Sequence, residues 1–163
     1  HTFPYLIHIP KNMGIKQEKV IDRTVELMDI MPTLLDIAEV EIPSSVDGQS
    51  LLPLIYDENV QWRNHIHGEC AHIPTLNSGM QYLTDGKSKY IWYPGLGQEQ
   101  YFDLEHDPNE MNNLTNNTDY TNELENYRSI LINQLTDRPE GFVNNSTLVN
   151  LGKPTSHTLS NYK

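Results

Sequence analysis

Residues 65–72, "HIHGECAH", bring together three histidines, a glutamate and the chain's only cysteine. On an extended strand successive side chains alternate between faces, so His65, His67 and Glu69 share one face while Ile66, Gly68 and Cys70 take the other. Three chemistries suit that row. With His72 as a fourth donor it holds the ligand types of a zinc site, although ligands at i, i+2 and i+4 of one strand need another segment to close a tetrahedron. The same histidines can be hydrogen-bonded at a sheet edge and do no chemistry. An imidazole beside a carboxylate that lines a pocket can also bind or protonate a leaving group. Spacing alone leaves all three open.

Other polar groupings read as structure. Asp103, Glu105, Asp107 and Glu110 lack the spacing of a calcium loop and its glycine at the sixth position. Asp107, Pro108 and Glu110 instead fit the start of a helix, with Asp107 capping, Pro108 in the first position and Glu110 closing a capping box. Tyr82, Tyr90, Trp92, Tyr93, Tyr101 and Phe102 resemble a stacking platform in composition, but strands alternate such residues into a core. Lys87 and Lys89 flank a tight turn and read as a solvated face, with a contact to an anionic group as the other reading. "NLT", "NNT", "NNS" and "NST" fit the acceptor pattern for N-glycosylation, which a chain this rich in asparagine produces by chance.

The elements that must position these groups follow from period and punctuation. "FPYLIHIP" reads as a short, largely buried strand bounded by prolines. Val25, Met28, Met31, Leu34, Leu35 and Ala38 recur at helical spacing. Pro32 divides that run into a turn near residues 24–28 and a helix over about 30–39, with Asp29 as N-cap. A turn at Asp47-Gly48 precedes a short apolar turn from Leu51 to Ile55. The period then changes to two. "RNHIHGECA", "GMQYLTD", "SKYIWYP" and "EQYFDL" are strand-like runs divided by turn residues, an antiparallel meander over about 64–103. Leu124, Tyr127, Ile130, Leu131, Gln134 and Leu135 line one face of a helix over about 120–136, expected to pack across the sheet. From Arg138 the period stops and the chain reads as an extended tail. The fold class is α+β: a small four-stranded antiparallel sheet with a C-terminal helix packed on it.

The 163 residues suffice for one domain with a real core. A formal net charge of −11 argues against nucleic acid or an anionic membrane as partner. No apolar run reaches the roughly 18 residues of a membrane span. With Cys70 alone, no intrachain disulfide forms and no compartment can be assigned. A first residue that is not Met, directly on a strand-like run, reads as a piece of something longer.

Three stretches in series resemble the C-terminal part of a bacterial-type sulfatase, an arylsulfatase of the alkaline-phosphatase-like superfamily. They are "FPYLIHIP", "VELMDIMPTLLDIAEVEIPSSVDGQSLLPLI" and "YLTDGKSKYIWYPGLGQEQYFDLEHDPNEMNNL". The second is similar to the family's Asp-Ile-x-Pro-Thr-Leu-Leu-Asp helix and its Gly-x-Ser-Leu turn. The third is similar to its hairpin and Phe-Asp-Leu-x-x-Asp-Pro-x-Glu-x-x-Asn-Leu ending. Together they cover roughly residues 3–136.

The resemblance implies a sulfuric ester hydrolase whose nucleophile is a formylglycine and whose divalent cation, usually calcium, polarises the sulfate. It also implies that neither belongs to this chain. The nucleophile arises from a Cys/Ser-x-Pro/Ala-x-Arg motif, whereas Cys70 is followed by "AHIP". The family's metal-binding Asp pair and later Asp-His or Asp-Asn pair precede the segment matched by "FPYLIHIP". The expected organisation is then residues 1–58 as the end of the main α/β domain, 59–137 as an antiparallel-sheet subdomain, and 138–163 as an extended tail. "HGEC" resembles a His-Gly-Glu-His stretch of some arylsulfatases, which makes His67, Glu69 and His72 the candidates for contact with substrate. The expected partners are an upstream sulfatase domain of the same polypeptide and a sulfate ester. A phosphonate or phosphodiester hydrolase on the same scaffold, and a stand-alone non-catalytic binding module, are the alternatives.

Overall fold

The computed structural model describes residues 5–10, 14, 19–70 and 79–152. Contacts divide the chain between Ile66 and His67 into two compact units.

In the first unit a 3-10 turn at Leu27–Asp29 runs into α1 (Ile30–Ile37), and α2 spans Leu52–Tyr56. Pro32 sits in the first turn of α1, where its missing N–H removes no helical hydrogen bond. Asp29 flanks the helix as expected but does not cap it with its side chain. The carboxylate accepts instead from the Glu26 and Gln49 backbone N–H groups, each at 2.9 Å, and pairs with Arg63. Thr33 Oγ1 donates to the Asp29 carbonyl at 2.6 Å and accepts from Leu51 N–H at 2.9 Å. Asp29 is fully buried, so these partners replace the water it gives up. The Asp and Thr of "DIMPT" therefore fasten α1 to the loop that follows it.

Leu51, Leu54 and Ile55 form the unit's core, with Ile9, Ile21, Val25, Val60 and Trp62 packed against it. The strand expected at "FPYLIHIP" is not formed over its described residues. Tyr5–Pro10 belong to no strand, and Leu6 is 89% exposed. The reason is that an apolar strand is stable only between neighbours, and no strand pairs with it among the described residues.

The second unit carries a four-stranded sheet in the order β1 (Ile66–Cys70), β2 (Met80–Thr84), β3 (Ser88–Tyr93) and β4 (Gln98–Asp103). Antiparallel registers pair Leu83 with Tyr90 and Tyr90 with Tyr101, so these side chains share a face. α3 (Thr121–Leu135) lays Leu124, Tyr127, Leu131 and Leu135 onto that face, and Trp92 joins them. The aromatic run is packing: Tyr90, Trp92 and Tyr101 are at most 2% exposed. The α+β arrangement expected from the sequence is the one present.

Two local expectations fail. "DPNE" starts no helix. Asp107 closes a turn by accepting from Asn112 N–H at 2.7 Å, and Glu110 adopts a positive φ of 56°. The Asp107 carboxylate accepts from an N–H five residues on, where an N-cap would accept from the second or third, so it closes a wider turn in place of a first helical turn. Beyond Arg138 the chain does not run free either. Phe142 is fully buried edge-on to Trp92, with ring centroids 5.7 Å apart, and β5 (Val143–Asn144) pairs with β6 (Thr147–Leu148). One buried aromatic has no period, so the pattern could not announce it.

Candidate functional site

β1 is an edge of the sheet, with β2 as its neighbour. The strand begins at Ile66, which leaves His65 just outside it. His67 and Glu69 do share a face, and Gln81 of β2 lies between them. His67 Nε2 is 2.8 Å from Gln81 Oε1, and Gln81 Nε2 donates to Glu69 Oε2 at 3.3 Å. Gln81 is only 2% exposed, whereas Glu69 lies open to solvent. Arg138 Nη2 reaches the same Glu69 oxygen at 3.2 Å and is itself held by Glu140 at 2.8 Å. The guanidinium stands 5.9 Å above the Phe142 ring. Neighbouring carboxylates hold the Arg138 cation more firmly than usual, Glu140 through the strongest hydrogen bond, with burial opposing.

The arrangement is an imidazole at a sheet edge, oriented by a buried amide that an ion pair anchors. Such a ring can take or give a proton, or hold a hydroxyl. His72 lies outside the described residues. Among the described residues no group of three or more His, Cys, Asp or Glu is placed to hold a metal ion. Cys70 ends β1, exposed.

Gly68 leaves room for the Tyr82 side chain of β2. A Cβ there would stand 2.2 Å from Tyr82 Cζ, so the Tyr82 ring crosses directly over the glycine on the face opposite His67. Lys89 Nζ lies 5.6 Å from the Tyr82 ring centre and pairs with Glu110 at 2.9 Å. Lys87 is 67% exposed, with Glu105 at 3.9 Å. Asp103 caps its turn by accepting from the Glu105 and His106 N–H groups, and also from the Tyr120 hydroxyl.

Gln81 and Arg138 were not among the sequence candidates. Gln81 is a polar residue at an inward position, in register with Leu83, and that alternation was the available signal. Arg138 fell in the stretch without period.

The sequence matches the family model described as N-sulphoglucosamine sulphohydrolase, C-terminal, over residues 1–137. It is 44% identical over 154 residues to an arylsulfatase of Clostridium perfringens, which covers 94% of this chain and 31% of that protein. A solved 2-O GAG sulfatase superposes with a TM-score of 0.67 at 25% identity, covering 79% of this chain and 29% of its own. The phosphonate monoester hydrolase of Silicibacter pomeroyi superposes at 0.64 with 19% identity over 89% of this chain and 32% of its own, a likeness of fold alone. The chain thus spans about a third or less of the relatives it matches. It belongs to the sulfatase family, as an example of the N-sulphoglucosamine sulphohydrolase C-terminal domain.

Proposed function

We propose that this chain is the C-terminal part of a sulfuric ester hydrolase, where it completes the substrate cleft and is inactive by itself. The family match over residues 1–137, to relatives of which it spans about a third, carries the reading. An upstream domain of the same polypeptide supplies the formylglycine and the calcium ligands. Residues 1–58 belong with that domain. The exposure of Leu27, Met31, Leu34 and Ile37 along one side of the 3-10 turn and α1 supports this, since an apolar stripe of that length is normally covered. The second unit, which takes in the segment after residue 137 that returns Arg138 to Glu69, carries the site. His67 and Glu69, with His72 beyond them, bind the ester or assist its leaving group.

Hydrolysis of a phosphonate or of a phosphodiester is the second reading, because a phosphonate monoester hydrolase shares this fold. The test is direct. The 163-residue chain should not hydrolyse 4-nitrophenyl sulfate or 4-nitrophenyl phosphate above a buffer blank, with or without calcium. General acid catalysis contributes about 10²–10⁴-fold, against roughly 10⁶-fold or more for a whole enzyme. In the longer polypeptide sulfate should turn over faster than phosphate or phosphonate, and His67→Ala should lower kcat/KM by roughly one to two orders of magnitude, up to the low end of what a general acid contributes. Turnover by the chain alone would overturn the proposal.

A further inference from the structure

The geometry points to Gln81 as a positioning residue that fixes which nitrogen of His67 carries the proton. A carboxamide has one donating and one accepting end, and Gln81 meets a different partner with each. One end faces Glu69 Oε2 at 3.3 Å and the other faces His67 Nε2 at 2.8 Å. Glu69 is paired with Arg138, whose guanidinium stays protonated, so the carboxylate is ionised and can only accept. The amide NH2 must therefore point to Glu69. The reversed amide would set two acceptor oxygens against each other with no proton between them, on a residue 2% exposed where water cannot repair the loss. That leaves Oε1 for the imidazole, and an oxygen acceptor requires an N–H at Nε2.

In the neutral ring Nδ1 is then the accepting nitrogen. Orientation passes from Arg138 to Glu69 to Gln81 to His67, and the last two links lie in β1 and β2. If His67 faces a substrate, which rests on the function proposed above, Nδ1 is the atom through which the ring takes a hydrogen bond or a proton.

The tautomer can be read without any activity. Long-range ¹H–¹⁵N correlation of the His67 ring in the 163-residue chain, at a pH where the ring is neutral, should give a protonated Nε2 and an unprotonated Nδ1. The Nε2 proton should exchange slowly with water. Gln81→Leu should abolish the slow exchange and move both nitrogens toward the averaged values of a free imidazole. Glu69→Gln, at a more exposed position, should do the same by releasing the amide, and it carries the comparison if Gln81→Leu does not fold. A wild-type ring protonated mainly at Nδ1, or variant spectra identical to wild type, would overturn the assignment. Activity reports separately: a locked tautomer with undiminished kcat/KM for Gln81→Leu in the longer enzyme would remove His67 from the substrate cleft and leave the tautomer standing.

Discussion

Glu99 on β4 is clasped by Arg128 on α3, with Nε donating to Oε1 at 2.8 Å and Nη2 to Oε2 at 2.6 Å. The Tyr90 hydroxyl donates to Oε1 as well, at 2.8 Å. The helix is thus joined to the sheet by a forked ion pair at the margin of the aromatic core. Both side chains keep partial solvent contact, 35% for Arg128 and 23% for Glu99, so screening limits its value. Arg128→Met should destabilise the second unit by about 1–2 kcal/mol, measured by denaturant unfolding.

That pair also sets an acid limb. Burial pushes the Glu99 carboxyl up, but hydrogen bonds from Arg128 and Tyr90 and the Arg128 charge outweigh it, and the group titrates below its ordinary 4.5. A carboxyl depressed in the folded state contributes its stability above the unfolded value and loses it as pH falls through the folded value. The gap between wild type and Arg128→Met should therefore be constant above about pH 5 and shrink below pH 4.5. A gap that widens on acidification would refute the assignment.

The sheet was legible because period-two patterning and turn residues are local signals, and α3 because one face repeats at 3.6. What could not be read was non-local. Nothing in "DIMPT" says that Asp29 turns from its own helix to the Gln49 N–H. Nothing in "RPEGF" says that Arg138 returns to Glu69, or that Phe142 meets Trp92. The strand reading of "PYLIHI" was a statement about apolar content, and strand structure also needs a neighbour. Alternation put His67 and Glu69 on one face, but the amide that bridges them sits on another strand.

Gly48 is required by contact, not by turn geometry. A Cβ there would lie 2.1 Å from the Met28 carbonyl oxygen and 2.6 Å from its carbon, both backbone atoms. Gly48→Ala should displace the loop, break the Gln49–Asp29 hydrogen bond and cost roughly 1–3 kcal/mol. Hydrogen exchange at the Gln49 and Leu51 amides should accelerate, while the sheet amides keep wild-type rates.

Gly68 differs in what it would strike. Its added methyl would meet the Tyr82 ring, the end of a side chain that can move. Gly68→Ala should therefore be partly relieved by Tyr82→Leu, with the double variant more stable than the sum of the single effects implies. Strict additivity in a double-mutant cycle would show that the ring does not cross the glycine in solution.

Phe142 tests whether the segment after Arg138 belongs to the folded unit. It is fully buried, and its ring meets Trp92, itself 2% exposed. Phe142→Ala should cost about 3–5 kcal/mol, the usual loss for a large aromatic removed from a core. It should also shift Trp92 fluorescence to the red as water reaches the indole. Because Arg138 stacks over the Phe142 ring and grips Glu69, the same substitution should disturb the amide that orients His67. The slowly exchanging Nε2 proton of His67 should then weaken in Phe142→Ala while that of Arg128→Met remains. A loss below about 1 kcal/mol, outside the range for such deletions, would mean that residues 138–152 are not part of the core.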